Sequence, residues 1–314
     1  MTDSPLPHRP APGETTGWIT PPTDGGERLD GRSTVLVTAD RLITGRRGDV
    51  PGTLDVVGDV PAVGPDGENA DRAEAARRAG RGGAVVLRRK RILFAGTVAE
   101  AEARLSSRTD LAIADVERLD LPGSTLMPGL IETHDHLPTS GTDVEYPDYG
   151  PHEVARLTLN AVRSARELLS VGVTSAQSLG ARHYVDVAVR DAIEHGDVRG
   201  PRVIASGPQI TTTGGHSYHA GAEADSLDQI RREVRHHHKM GVDTIKVMST
   251  GGFMTGGSAP WFAQFSQDEL EALVAEAHRL GKWTAAHAHG VEGIERAVRA
   301  GIDYVAHASF ITAE

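Results

Sequence analysis

The chain has 314 residues, a net charge of −10 and only 4% aromatic residues; that is length enough for one barrel-sized core and a small accessory domain. Its acidic balance argues against a nucleic-acid groove or an anionic membrane surface. With no cysteine there can be no disulfide and no thiolate metal site, so a metal would have to be held by histidine, a carboxylate or something less usual.

Residues 1–32 are rich in Pro, Gly, Thr and charge, with little to bury, and read as a disordered tail. The N-terminus lacks a basic-then-apolar signal pattern and no apolar run approaches the roughly 18 residues of a spanning helix, so the expected location is cytoplasmic. From Ser33 to Gly123, the runs TVLVTADRLIT, LDVVGDV and GAVVLRRKRILFAG are bounded by Gly, Pro or Asp and predict short strands of a small β-sandwich domain. Pro65 to Gly83 reads as a polar surface insertion and Val98 to Arg108 as a short helix.

Residues 124–314 change character. STLMPGLIETHDH runs apolar residues into His134 and His136. Side chains two apart on a strand leave the same face, so both imidazoles can reach one metal ion while Asp135 points away. A loop to Pro151 carries Asp143, Glu145 and Asp148, each as readily a solvated residue as a substrate contact. Helical spacing over 152–170 stops at Gly172, and VTSAQSLG is the second strand. A helix over 184–194, a strand over 201–209 and a helix over 226–240 follow. That last helix holds His236, His237 and His238. Consecutive helix positions diverge around the cylinder, so a solvated helix end is preferred to a metal site there. Val242 to Thr250 is a strand with Lys246 in its apolar middle, where an unpaired ammonium is costly. Ser266 and Glu269 have capping-box spacing and Gly281 closes that helix. WTAAHAHG carries His287 and His289, a helix spans 291–300, and YVAHASF adds His307. Strand–helix repetition at this spacing predicts right-handed βαβ units and a parallel barrel.

MPGLIETHDH, IKVMSTGG, AAHAHG and the AH of YVAHASF, in this order, resemble the amidohydrolase superfamily, and within it the Xaa-Pro dipeptidase and imidazolonepropionase-like branch. The resemblance implies an α/β fold, a (β/α)8 TIM-type barrel of which strands one to six are present, beside the small sandwich. It also implies a binuclear centre. His134 and His136 would hold one divalent ion, His287 and His307 a second, and Lys246, carboxylated by carbon dioxide, would bridge them. A neutral buried lysine is the alternative for Lys246. Zinc suits a histidine-rich site with open positions. Two such ions would activate a shared water and polarise the scissile carbonyl. His216 in TTTGGHSYH and His289 would contact a small-molecule amide or dipeptide substrate, although His289 could also be a ligand; His219 defaults to a solvated residue. Gly251 and Gly252 are expected to bring the backbone close to the site.

Two departures stand out. The acidic residue of the opening motif, usually Asp, is Glu132. The family's aspartate base at the end of the eighth strand has no counterpart before Glu314. Expectations therefore divide between a metal-dependent amidohydrolase and a truncated metal-binding remnant or part of a split enzyme, with a mononuclear deaminase-like relative as a third. An open six-stranded sheet would leave unpaired edges, predicting poor solubility or need of a partner segment, and a homo-oligomer stays open.

Overall fold

A computed structural model describes residues 34–47, 54–58, 60, 63, 67–88, 91–107, 115–139 and 150–311. The expected tail and the acidic residues of the 140–149 loop lie outside the described residues. The chain passes from one compact unit to a second between Gly129 and Leu130. Thr125 and Leu126 pair with Arg41 and Leu42 inside the first unit, so the run before Pro128 belongs to that sheet and the barrel strand begins at Leu130.

In the first unit Thr34–Arg47 (β1) is the central strand. It pairs antiparallel with Leu54–Val57 (β2) and Gly83–Arg88 (β3). It also runs parallel to Val116–Leu126 (β5), and a hairpin joins β3 to Arg91–Thr97 (β4). Among the described residues this is one five-stranded sheet; the second layer of a sandwich is not among them. Leu36, Ala84, Val86 and Val116 bury against Ala101 and Leu105 of Val98–Ser106 (α2), which starts at a capping box of Thr97 and Glu100. The stretch expected to be an insertion contains a helix, Ala70–Arg78 (α1). Its only buried residues are Ala73 and Ala76, packed on Val60, so it has no apolar stripe to reveal it.

The second unit alternates strand and helix: Leu130–Asp135 (β6), Glu153–Ser170 (α3), Val173–Ser178 (β7), Val185–His195 (α4) and Arg202–Ala205 (β8). Two short strands, Ile210–Thr211 (β9) and Ala222–Glu223 (β10), precede Leu227–Lys239 (α5). Thr244–Met248 (β11), Gln267–Arg279 (α6), Trp283–Ala288 (β12), Val291–Ala300 (α7) and Tyr304–His307 (β13) complete it. All ladders are parallel, but they form two sheets, β6-β7-β8 and β10-β9-β11-β12-β13, rather than one continuous six-stranded sheet. Between β8 and β11 a single residue does the joining, through main chain and side chain: the Asp243 N–H donates to Ala205 O at 2.8 Å. The Asp243 carboxylate accepts the Ala205 N–H at 2.9 Å and Arg190 Nη1 at 2.7 Å. One strand face packs Ile245, Val247, Ala286, Val203 and Ala205 on Ile230, Val234, Leu270, Leu273 and Ala297 of the helices. The opposite face carries Lys246 and His287.

The solvated-end reading of the triple histidine fails for its middle member. His236 and His238 are exposed, but His237 is fully buried, with Nε2–H donating to Pro208 O at 2.6 Å and Nδ1 2.9 Å from Glu233 O. It locks α5 onto the turn after β8.

Candidate metal centre

Parallel strands open their C-terminal ends onto one side, and there six histidines converge. The His134 and His136 rings lie 5.3 Å apart, and His134 is 4.9 Å from His307. His307 is 4.7 Å from His287 and 4.6 Å from His289, and His287 is 4.4 Å from His216. Ring nitrogens of His287, His289 and His307 come within 4.8 Å of one another. All seven residues expected at the site belong to this unit; six are linked through these ring contacts and the seventh, Lys246, exerts its charge on His134, His136, His216, His287 and His307. Outside the cluster, His219 is exposed and His278 bonds Asp303 at 2.8 Å, which ties α6 to the foot of β13.

His307 reaches the cluster by backbone conformation. In register it pairs with Ala288, and alternation would put it with Val305 on the helix-facing side. A left-handed backbone at His307 (φ 71°) and Ala308 (φ 46°) turns the ring inward instead. For residues with a Cβ such angles are strained, and strain of this kind collects at functional sites.

Burial sets the charge state of the cluster. Loss of hydration is the leading cause pushing His134 down to about 3, His136, His216 and His307 to about 4, and His287 to about 2, with nearby positive groups adding to it. The imidazoles are therefore neutral at pH 7 and each keeps a lone pair. Two have their tautomer fixed: His136 Nδ1–H donates to Gly180 O at 3.1 Å and His287 Nε2–H to Gly251 O at 3.0 Å. The opposite nitrogen of each then keeps its lone pair free, as metal-ligating histidines require. Lys246 is 0% exposed, its Nζ has no hydrogen-bond partner among the described residues, and burial brings it down to about 7. A buried, orphaned amine beside lone-pair-bearing imidazoles fits a bound cation with an acidified lysine; by itself it would be a costly arrangement. Asp135 Oδ2 is a second buried atom without a partner.

Glycines allow the close approaches. A methyl on Gly180 would lie 2.8 Å from His136 Nδ1, and one on Gly252 would lie 2.3 Å from His216 Cε1. Gln264, which sequence reasoning passed over, organises the loops. Its Oε1 accepts the His216 N–H at 2.6 Å while its Nε2 donates to Thr211 Oγ1 at 3.1 Å and Met248 O at 2.9 Å. Thr255 Oγ1 is 3.2 Å from His216 Nδ1, and Ser309 Oγ is 2.8 Å from His289 Nδ1. A lone Gln in WFAQFS, polar between aromatics, was the only signal for these partners.

The chain belongs to the amidohydrolase family, whose model matches residues 125–313. Aspergillus niger ochratoxinase is 33% identical over 262 residues, covering 74% of this chain and 52% of that protein. Its crystal structure superposes with a TM-score of 0.69 at 27% identity, over 90% of this chain and 61% of that one. A Xaa-Pro dipeptidase crystallised with methionine in its active site gives a TM-score of 0.68 at 26% identity, covering 90% of this chain and 63% of the other. The chain thus spans about half the length of the curated relatives it matches. Among the described residues no helix is long and apolar enough to cross a membrane.

Proposed function

We propose that the protein is a metal-dependent hydrolase of a C–N amide bond, with two divalent ions, zinc being the expected metal. His134 and His136 would hold one ion and His287 and His307 the other, with Lys246 as a bridging carbamate. The observation that carries this reading is Lys246: completely buried, without a hydrogen-bond partner among the described residues, and with burial bringing its pKa to about 7. Much of the amine is then unprotonated at neutral pH. Its lone pair can form an N–C bond to carbon dioxide; an electron pair of one C=O bond moves to oxygen and the nitrogen passes a proton to water. The buried cation becomes an anion suited to two positive partners.

When bound, the ions lower the pKa of a water and polarise the carbonyl. The chain's own residues orient and move protons. His136 and His287 keep fixed tautomers through Gly180 O and Gly251 O. His289 pairs instead with the Ser309 hydroxyl, which can donate or accept, so its ring can change protonation state; we assign it and His216 to the substrate. Substrate class follows the relatives named for ochratoxin and Xaa-Pro dipeptides: a dipeptide, an N-acyl amino acid or a related amide.

The test uses the full-length protein purified with zinc under bicarbonate. Two ions per chain are expected by elemental analysis, a carbamate carbon signal after loading with 13C-labelled bicarbonate, and amine release from a panel of dipeptides and N-acyl amino acids. Lys246→Met should abolish the carbon signal and drop the metal below one ion per chain. Retention of two ions by that variant would rule out the bridge.

A further inference from the structure

The loop carrying His216 docks on a hairpin-like segment between β11 and α6. Thr250 and Ala263 bridge antiparallel there, with Gln264 N–H donating to Ser249 O at 2.8 Å and Gly251 N–H to Phe262 O at 3.0 Å. Two residues of that segment grip residues 216 and 217. Gln264 Oε1 accepts the His216 N–H at 2.6 Å. Thr255 Oγ1 accepts the Ser217 N–H at 2.9 Å and lies 3.2 Å from His216 Nδ1. The ring itself rests on Gly252, where a methyl would stand 2.4 Å from Nε2.

The hydrogens at Thr255 decide where the His216 proton is. A hydroxyl has one hydrogen to give and two lone pairs to offer. One lone pair takes the Ser217 N–H, and among the described residues the only other polar atom bonded to Oγ1 is His216 Nδ1. Were Nδ1 protonated, it and Ser217 would both donate to Oγ1, and the hydroxyl hydrogen of a residue only 7% exposed would have no acceptor. With Nδ1 bare, the hydroxyl donates to it and all three groups are paired. Burial keeps this ring neutral, with a pKa of about 4, so its one proton is then on Nε2.

We propose that Thr255 is a positioning residue that donates to His216 Nδ1, fixes the ring's proton on Nε2, and so gives the site an N–H rather than a lone pair. This rests on the amide-hydrolase reading for its use. The His216 ring lies 4.4 Å from that of His287, and a neutral imidazole N–H in such a place suits a carbonyl oxygen as it takes up negative charge. As the attacking oxygen bonds to the carbonyl carbon, the C=O electron pair moves onto the carbonyl oxygen, and the ring stabilises it by a hydrogen bond without giving up its proton. The other tautomer would turn a lone pair on the same oxygen.

Long-range proton–nitrogen correlation spectra of the zinc-loaded full-length protein, labelled with 15N-histidine, read the tautomer directly, and His216→Gln identifies the signals. Wild type and Thr255→Ser should show a protonated Nε2 and a bare Nδ1. Thr255→Val should show the averaged shifts of a ring exchanging between both tautomers, which a merely structural role for Thr255 would not produce. In amide hydrolysis Thr255→Val should lose about 10-fold in kcat with KM within about twofold, and Thr255→Ser should stay within about twofold of wild type. A proton on Nδ1 in wild type, a Thr255→Val spectrum identical to wild type, or an unchanged kcat in that variant overturns the proposal. Thr255→Ala takes its place if Thr255→Val does not fold, and the wild-type spectrum tests the proton's position in either case. The expected spectra in a protein that turns over no member of the dipeptide and N-acyl amino acid panel uphold the positioning of His216 and count against the hydrolase reading.

Discussion

His136 depends on a residue it could not be predicted to need. Its ring lies on the backbone of Gly180, donating to that residue's carbonyl, and a Cβ at position 180 would also meet Gln209 Oε1 at 2.6 Å. Gly180→Ala must therefore push the imidazole away or move Gln209, which is buried and donates to Ser217 O at 3.2 Å. Disturbing such a supporting contact typically costs about 10- to 100-fold in metal affinity. Chelator competition should find one of two ions weakened by that order in Gly180→Ala and the other near its original affinity. Equal affinities for both ions would mean that His136 does not ligate. The sequence made the histidine pairs visible because their spacing is a local property of a strand. Gly180, Gln264, Thr255 and Ser309 matter only through contacts across loops, and the inward aim of His307 comes from two left-handed residues that neither His nor Ala announces.

The helices and strands of the second unit were legible because most carry their own punctuation. Ser266 and Glu269 form the capping box that their spacing predicted, and Gly172, Gly281 and Gly301 take the left-handed conformations expected where helices stop. What stayed hidden was pairing between elements. Nothing in RVIASG or VDTIK tells that Asp243 replaces ladder bonds between β8 and β11, nor that His237 joins Ile230 and Val234 on the buried face of α5. The α5–α6 contact is a similar case, and it has a pH signature. Glu276 accepts from Arg279 and from Arg235 Nε, the latter at 2.7 Å, and these bonds hold its carboxyl at about 2. Loss of hydration opposes this shift, but less than either hydrogen bond favours it. A lowered folded pKa gives stability that is present above the unfolded value near 4.5 and lost as pH falls toward 2. Both arginines are 59% exposed, so solvent screening limits the gain to about 1 kcal/mol. Glu276→Gln should lower urea stability by about that amount at pH 7. The gap should narrow steadily below pH 4.5; a gap independent of pH would assign the loss to packing instead.

At the scale of the whole molecule, the site is a store of unfavourable groups in the metal-free state. Five histidines lie at about 2 to 4 in the folded chain against 6.5 when free, and Lys246 lies at about 7 against 10.5. Below pH 6.5 the unfolded chain takes up protons that the folded one refuses, so stability is lost as pH falls. Each refused proton costs up to about 1.4 kcal/mol per pH unit, with His307, the most exposed of the five, contributing least. Between pH 7 and 10.5 the lysine acts in the same sense, since the unfolded chain keeps its ammonium while the folded one releases it. Metal-free protein should therefore gain stability continuously from pH 5 to pH 9, most steeply below 6.5. Ions bound as proposed would take up the lone pairs of His134, His136, His287 and His307, so holo protein should be more stable at every pH above the one at which these ligands protonate, and should release its metal as that point is passed. Urea midpoints of chelated and zinc-loaded full-length protein across this range decide it. A metal-free protein whose midpoint is flat from pH 5 to 7 would mean that the histidines remain hydrated and the cluster is open, and with it the argument that burial holds these imidazoles ready as ligands would fall.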